Sequence, residues 1–238
     1  MATLLEALAQ TILPSTCAIC GDGLPWGGSR AGVCRTCWES VVPHAGPVCG
    51  VCGDPDLEAE GPCLECRTTP PPWLAAASFG AYDGVLRELV LLFKSRGRDE
   101  LAAPLTRLLL AAWRRAAWPH PDAVVAVPMT RIRRLRRGYN QAELLAGALA
   151  RELDVPLEHT LRRRGRGSQV GSARSKRLRL SAEAFPVRRP VAGVVVLVDD
   201  VLTTGSTAAA CTRALKRAGA QDVCILTIAK TPRPGRIP

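Results

Sequence analysis

Apolar positions in the C-terminal two thirds of the chain follow two spacings that alternate along the sequence. Spacings of three and four residues predict amphipathic helices, and short continuous apolar runs predict buried strands. The predicted helices span residues 84–94, 101–117, 140–153 and 206–218. The predicted strands span residues 123–127, 193–198 and 223–229. Because helices that alternate with apolar strands pack on both faces of a parallel sheet, we predict an α/β, doubly wound fold.

The first 70 residues lack this periodicity and carry four C-x-x-C pairs. The paired cysteines are Cys17, Cys20, Cys34, Cys37, Cys49, Cys52, Cys63 and Cys66. Two such pairs about a dozen residues apart bring four thiolates to one tetrahedral Zn²⁺. A disulfide framework is the alternative, but it requires an oxidising compartment. We predict two structural zinc sites; pairs that are neighbours in sequence are favoured to share an ion, and an interleaved arrangement stays open.

A run of Thr69, Pro70, Pro71 and Pro72 separates this region from the rest. Consecutive prolines continue neither a helix nor a strand, so we place a domain boundary there. The predicted division is an N-terminal helix at residues 1–14, a double zinc ribbon at 15–69, a Pro-rich linker at 70–80, an α/β domain at 81–230 and a tail at 231–238. The unpaired Cys211 and Cys224 fall on a predicted helix and strand and are expected in the core.

Composition is that of a globular protein, with 238 residues of which 47% are hydrophobic and 22% charged. No apolar run reaches the roughly 18 residues that a membrane span needs. Residues 1–13 carry no basic segment ahead of their apolar stretch, as an export signal would. We therefore expect no membrane span and a cytoplasmic location.

Net charge is distributed as unevenly as the cysteines. The chain carries +11, but residues 1–72 hold three basic and eight acidic side chains, whereas residues 73–238 hold 29 and 13. Much of the basic excess lies in two clusters, at residues 131–137 and 162–179. Such clusters bind polyanions of any kind, from DNA to a small polyphosphate. We predict that the second cluster orders over a bound polyphosphate; a solvated linker is the alternative.

The most specific chemical signal follows the predicted strand at residues 193–198. Two carboxylates, Asp199 and Asp200, come directly after it, and a loop of hydroxyl residues and glycine then enters a helix at residue 206. Backbone N–H groups at a helix N-terminus, with hydroxyls beside them, form a cup for a phosphate monoester. The two carboxylates, the acid pair, are placed to hold ribose hydroxyls or a hydrated Mg²⁺. The alternative is that the hydroxyls cap the helix and the acids face solvent.

Together these segments resemble the ComF family. The resemblance rests on the cysteine pairs, on the acid pair with its loop and on several short motifs. These are Tyr82-Asp83-Gly84, Phe93-Lys94-Ser95-Arg96-Gly97-Arg98, Val127-Pro128, Arg137-Gly138-Tyr139-Asn140-Gln141-Ala142-Glu143 and Gln169-Val170-Gly171. The resemblance implies a zinc-ribbon domain followed by a type I phosphoribosyltransferase domain, with phosphoribosyl pyrophosphate (PRPP) and Mg²⁺ as its ligands.

The resemblance also implies roles for individual residues. Asp199 and Asp200 would contact ribose hydroxyls or metal, and the hydroxyl loop would cradle the 5-phosphate. That loop consists of Thr203, Thr204, Gly205, Ser206 and Thr207. Arg174 and Arg177 would lie in the loop that closes over pyrophosphate, and together with the acid pair they are the predicted catalytic residues.

Two functions remain open from the sequence. The chain is either a phosphoribosyltransferase that acts on an unidentified acceptor, or a non-catalytic or regulatory PRPP-binding competence protein. In the second case the resemblance implies single-stranded DNA, taken up in transformation, or a DNA-uptake helicase as partners. A plain nucleic-acid-binding zinc protein is disfavoured, because the acidic ribbon region repels phosphate groups.

Overall fold

The computed structural model describes residues 16–24, 31–55, 61–164 and 182–232. Four sequence predictions lie outside these ranges: the N-terminal helix at 1–14, Arg174 and Arg177, most of the basic cluster at 162–179, and the tail beyond residue 232. Within them, no helix combines the length and the apolar character needed to cross a bilayer.

Five strands of the described residues form one sheet, and every neighbouring pair is parallel. They are β1 (Ala75–Ala81), β2 (Ala123–Ala126), β3 (Leu157–Glu158), β4 (Val194–Leu202) and β5 (Asp222–Lys230), in the spatial order β1-β5-β4-β2-β3. β2 and β4 are neighbours, yet the chain continues from them in opposite directions, to β3 and to β5. Their carboxyl ends therefore flank a topological switch point, where α/β folds bind ligands.

Helices cover both faces of this sheet. The helices of the described residues are α1 (Arg35–Glu39) and α2 (Leu64–Thr68) in the ribbon region, then α3 (Gly84–Phe93), α4 (Ala102–Ala116), α5 (Arg131–Arg137), α6 (Gln141–Glu152) and α7 (Ser206–Arg217). Helices α3, α4 and α6 pack on the face that presents Val196 and Val198. Helix α7 packs on the other face, against Val195 and Leu197. Both faces of β4 are thus buried, which is why its sequence is a continuous apolar run, and the predicted doubly wound α/β fold is confirmed.

The sheet begins inside the segment that the sequence assigns to the linker. β1 occupies Ala75–Ala81 and pairs along β5, so the α/β domain starts before residue 81. Sequence patterns miss this strand because it is built mostly from small residues of low strand propensity. One of these small residues is required by close packing. At position 80 only glycine fits, because a Cβ on Gly80 would lie 2.7 Å from the carbonyl oxygen of Val42 in the ribbon region.

The first basic cluster forms helix α5, which the spacing of apolar residues does not predict. The helix buries none of its residues, and its apolar side chains, Ile132 and Leu135, are exposed. Local chemistry defines its ends. The Thr130 hydroxyl accepts a bond from the Arg133 N–H at 3.4 Å, and Gly138 ends the helix with a φ of 90°.

Both ribbons pack on the α/β domain. The first ribbon, which carries Cys17 to Cys37, adds Leu24 and Val33 to the same apolar core as Phe79 and Leu86. The second ribbon, which carries Cys49 to Cys66, accepts a hydrogen bond from the indole of Trp73 at the Val51 carbonyl, 2.7 Å away. Because apolar packing and hydrogen bonding both cross the boundary, the ribbons and the sheet share an interface.

Candidate functional site

The eight paired cysteines form two compact four-cysteine sites. One contains Cys17, Cys20, Cys34 and Cys37, and the other contains Cys49, Cys52, Cys63 and Cys66. Within each set all Sγ atoms lie within 4.8 Å of one another. The arrangement of neighbours in sequence, which we favoured over the interleaved one, is therefore confirmed.

The sulfur geometry fits Zn²⁺. A tetrahedral ion with four Zn–S bonds of about 2.3 Å separates its sulfurs by about 3.8 Å. The Sγ atoms of Cys17 and Cys37 lie 3.9 Å apart, those of Cys20 and Cys34 3.7 Å, and those of Cys52 and Cys63 3.8 Å. All eight cysteines are free of disulfides. Backbone N–H groups also point at the sulfurs, as from Cys63 to Cys49 Sγ at 3.3 Å, and they stabilise thiolates.

Cys211 and Cys224 lie outside both sites. Their side chains are buried, on α7 and β5 respectively, as predicted for core residues.

The acid pair lies near the carboxyl end of β4, at the switch point. The strand continues past residue 198, where the sequence predicted its end, through both acids to Leu202. Asp199 pairs with Thr227 of β5, and beyond the acids Val201 still pairs with Ala229. On the other side, the Val127 N–H after β2 donates to the Val198 carbonyl at 2.9 Å. The acid pair is thereby fixed between two neighbouring strands.

The two carboxylates have different environments. Burial, followed by the charge of Asp200, raises the pKa of Asp199 to about 7, against the opposing charges of Lys94 and Arg163. The Asp200 N–H donates to Asp199 Oδ1 at 2.9 Å. Asp200 instead forms an ion pair, with 3.0 Å between its Oδ1 and the Nζ of Lys94. Burial therefore favours the protonated form of Asp199, whereas the Lys94 ammonium lies directly against Asp200.

The hydroxyl loop connects the acid pair to α7. Gly205 is the N-cap residue of the helix and adopts a left-handed φ of 74°, which glycine adopts without strain. Gly205 has no side chain to cap the helix, but the Thr204 hydroxyl accepts a hydrogen bond from the Ser206 N–H at 3.4 Å. The Thr204 and Ser206 hydroxyls also lie 3.0 Å from each other. The N-terminus of α7 thus presents its positive dipole end beside two hydroxyls, an arrangement suited to a phosphate.

A cavity of about 150 Å³ joins the acid pair to the loop. Its lining includes the predicted residues Asp199, Asp200, Thr203, Gly205 and Thr207. Thr204 faces a neighbouring groove between the loop and the second ribbon. Arg174 and Arg177 lie outside the described residues, so their predicted role stays a prediction.

Sequence reasoning did not assign Lys94 to the site, although this residue lines the cavity. The Phe93-Lys94-Ser95 motif marks this position in the sequence, but it does not indicate a carboxylate partner. Lys94 reaches the acid pair because α3 ends beside the end of β4.

The segment from Arg137 to Glu143 positions the cavity walls. The Tyr139 hydroxyl donates to the Phe93 carbonyl at 2.7 Å, and the Gln141 amide donates to the same oxygen at 3.1 Å. The Asn140 amide donates to the Val127 carbonyl at 3.2 Å. This short motif therefore holds the end of α3 and the end of β2 on either side of the acid pair.

The residues around the acid pair do not fit a resident Mg²⁺. That ion needs six oxygens in near-octahedral geometry and usually combines one or two carboxylates with waters and substrate phosphates. Among the described residues, groups of three or more metal-binding side chains occur at the two cysteine sites and not here. The Lys94 ammonium also occupies Asp200. An ion that serves at this cavity must therefore arrive with the oxygens of the ligand.

A larger arginine-lined pocket lies beside this site. It has a volume of about 800 Å³ and lies between α5, the start of α6 and the chain after β3. Its basic lining residues are Arg131, Arg134, Arg162, Arg163, Arg188 and Arg189. Two acids, Glu143 and Glu158, share the lining, and Arg134 lies 3.1 Å from Glu143. The pocket is therefore a cationic surface open to an extended anion.

Comparison with known proteins finds a separate match in each part of the chain. Residues 8–67 match the family described as Double zinc ribbon domain, and residues 107–236 match the Phosphoribosyl transferase domain. The chain is 36% identical over 226 residues to the DNA utilization protein YhgH of Salmonella typhi, which covers 92% of this chain and 98% of that protein. It is 32% identical over 217 residues to Competence protein F of Haemophilus influenzae, covering 85% and 92%. Among solved structures, a purine phosphoribosyltransferase from Pyrococcus horikoshii Ot3 has a TM-score of 0.37 at 20% identity, covering 57% of this chain and 77% of that one.

Proposed function

The chain belongs to the ComF family, and from that premise we propose that its acid-pair cavity binds the phosphoribosyl group of PRPP. The observation that carries this proposal is the single cavity shared by Asp199, Asp200 and the hydroxyl loop at the N-terminus of α7. A ribose 5-phosphate needs acceptors for its hydroxyls and a cup of N–H and O–H donors for its phosphate. The acid pair offers the acceptors and the hydroxyl loop offers the donors, and both line the same cavity.

In this proposal each group of the cavity has one task. The acid pair accepts hydrogen bonds from the ribose hydroxyls, and the loop residues Thr203, Gly205 and Thr207 hold the 5-phosphate. Mg²⁺ enters as part of the Mg–PRPP complex, whose pyrophosphate supplies its other oxygens. Displacement of pyrophosphate then needs a nucleophilic acceptor but no covalent enzyme intermediate. Whether the bound PRPP is transferred to an acceptor, or only sensed, separates the catalytic form of the proposal from the regulatory one.

Calorimetry with PRPP and Mg²⁺ tests the binding step. The D199N/D200N double variant should lose at least about tenfold in affinity, because charge-assisted hydrogen bonds contribute more than neutral ones. The matched control is Asp222→Asn, at a half-exposed carboxylate that pairs with Lys216 on the amino-terminal end of β5. The proposal fails if the parent protein does not bind PRPP, or if the double variant binds as tightly as the parent. Pyrophosphate release measured across candidate nucleophiles then distinguishes transfer from binding alone.

A second candidate function, the handling of single-stranded DNA, is favoured by the arginine-lined pocket. Two of the relatives carry the names DNA utilization protein and Competence protein. Phosphate contacts dominate the affinity of proteins for nucleic acids, and the pocket offers several arginines on one open surface. The ribbon region is acidic and repels phosphate groups, so it is not the expected DNA-binding surface.

Fluorescence anisotropy with a labelled single-stranded oligonucleotide tests this second function. An R131Q/R188Q/R189Q variant should bind more weakly and show a smaller dependence of log affinity on log salt, by about 0.7 for each phosphate that it no longer neutralises. Arg107→Gln and Arg213→Gln remove exposed arginines from α4 and α7 and serve as controls. Equal losses of affinity in the controls would show that binding follows net charge and not this pocket.

A further inference from the structure

We propose that Lys94 is the resident cation of the acid-pair cavity, so that a ribose phosphate binds there without a divalent metal ion. This inference rests on the proposed function and names the group that neutralises the acid pair. It assigns a ligand-binding role to a residue on α3, far in sequence from the acids and the hydroxyl loop.

The contact between Lys94 and Asp200 is direct and sheltered from water. Lys94 Nζ lies 3.0 Å from Asp200 Oδ1, and the two side chains are only 25% and 13% exposed. The ammonium also lies 5.9 Å from the centroid of the Tyr82 ring, whose face attracts a cation. An ion pair with this little exposure is screened far less by solvent and salt than one at the surface.

The protein holds this ammonium in place through its backbone. Lys94 is the C-cap residue of α3, and the preceding Phe93 side chain is fully buried. The Phe93 carbonyl accepts bonds from the Tyr139 hydroxyl and the Gln141 amide, and the single Tyr139 O–H is shared with the Ser95 carbonyl at 3.0 Å. Lys94 is therefore anchored on both sides, and Tyr139 and Gln141 act on the site as positioning residues.

A cation at this position solves an electrostatic problem of the cavity. Two adjacent carboxylates repel the phosphate of an approaching ligand unless positive charge offsets them. In many sites of this kind a divalent ion supplies that charge, but the residues here form no complete metal site. Lys94 supplies positive charge from the chain itself, with its Nζ 3.0 Å from Asp200 Oδ1. The net negative charge that faces the phosphate is thereby reduced.

Lysine is also the uncommon basic residue of this chain. Only four of its 32 basic residues are lysine. A compact ammonium fits a contact with one oxygen, whereas the planar arginine fork suits two. The single 3.0 Å contact to Asp200 has the first geometry.

Titration calorimetry with ribose 5-phosphate, in buffer stripped of metals by a chelating resin and then with added MgCl₂, tests the inference. Ribose 5-phosphate is the probe because it lacks the pyrophosphate that carries its own Mg²⁺. The affinity of the parent protein should change less than about threefold on adding Mg²⁺. Lys94→Met should weaken metal-free binding at least about tenfold and regain part of the loss with Mg²⁺, which then reaches the uncovered Asp200. Lys94→Arg keeps the positive charge but not the one-oxygen geometry, so it should retain more of the metal-independent binding than Lys94→Met.

Two variants make the result specific. Lys216→Met removes a half-exposed lysine of α7 that pairs with Asp222, and it should bind like the parent. The K94M/D200N variant removes both charges of the ion pair, so it avoids an unpaired buried carboxylate if Lys94→Met alone fails to fold. It should bind ribose 5-phosphate weakly and show no recovery with Mg²⁺.

The outcomes separate this inference from the function on which it rests. A parent that binds ribose 5-phosphate only with Mg²⁺ overturns the inference, and so does a Lys94→Met variant that binds like the parent without metal. In both cases phosphoribosyl binding itself stands. A parent that binds neither ribose 5-phosphate nor Mg–PRPP overturns the proposed function, and the role of Lys94 falls with it.

Discussion

The ring of Trp73 packs against Gly205, so closely that a Cβ on Gly205 would lie 2.7 Å from Trp73 Cη2. The same indole donates to the Val51 carbonyl, between two cysteines of the second ribbon. One side chain therefore bridges a four-cysteine site and the hydroxyl loop. Groups on both sides of this bridge, including Cys66 and Thr204, line a groove of about 710 Å³.

Gly205→Ala should destabilise the protein and weaken PRPP binding. A left-handed φ at alanine lowers the free energy of unfolding by about 1–2 kcal/mol. Overpacking against Trp73 lowers it by about a further 1–3 kcal/mol. Gly46→Ala is the matched control, because Gly46 has a similar φ of 70° but no atom within 4 Å of its added Cβ. Urea unfolding of both variants should show the larger loss of stability at Gly205. Equal losses would mean that the loop moves away from Trp73 without cost.

The protein should contain two Zn²⁺ per chain, and Cys34→Ser should reduce this to one. The first ribbon shares its apolar core with Phe79 and Leu86, so loss of its ion should lower the melting temperature of the whole chain and not only of the ribbon. Elemental analysis and thermal unfolding measure the two effects. Cys224→Ala, at a buried cysteine outside both sites, should retain two ions. A metal content near zero in protein prepared without chelators would contradict the zinc assignment.

Stability should fall as pH is lowered from about 6.5 towards 4, in part because of His44. Burial, followed by the charges of Arg115 and Lys230, lowers the pKa of His44 to about 4, and its Nε2 lies 2.9 Å from the Ser78 hydroxyl. Below its ordinary pKa near 6.5 the unfolded chain binds a proton that the folded chain excludes, so acid favours unfolding. Urea unfolding at pH 7.5 and 5 should show a smaller loss of stability for His44→Gln than for the parent. An identical loss in the two proteins would remove His44 from the acid response.

Thr212→Val should stabilise the protein by about 1 kcal/mol. The Thr212 hydroxyl is fully buried in α7 and has no hydrogen-bond partner among the described residues. Replacing an unsatisfied buried hydroxyl by a methyl group of similar shape removes a desolvation cost. Thermal unfolding should show a higher melting temperature, with unchanged affinity for PRPP. A lower melting temperature would indicate that this hydroxyl has a partner in the folded protein.

The sequence by itself determined the features whose chemistry is local. Four C-x-x-C pairs at short intervals predict two zinc sites, and the geometry groups them as neighbours in sequence. The apolar run before Asp199 and the glycine at position 205 predict a strand, a tight loop and a helix, because each depends on residues within a few positions. The long amphipathic helices were predictable within a few residues for the same reason.

Tertiary structure alone decided the contacts between segments that are distant in sequence. β1 carries too little intrinsic strand preference to be predicted, and it forms because β5 and the ribbon segment bury it. Nothing near Lys94 in sequence indicates a carboxylate partner, and Asp200 becomes its partner only when α3 packs beside the end of β4. The contact of Trp73 with Gly205 likewise exists only after the second ribbon docks. Such contacts depend on how the elements pack in three dimensions, and residue patterns within one segment carry no information about that packing.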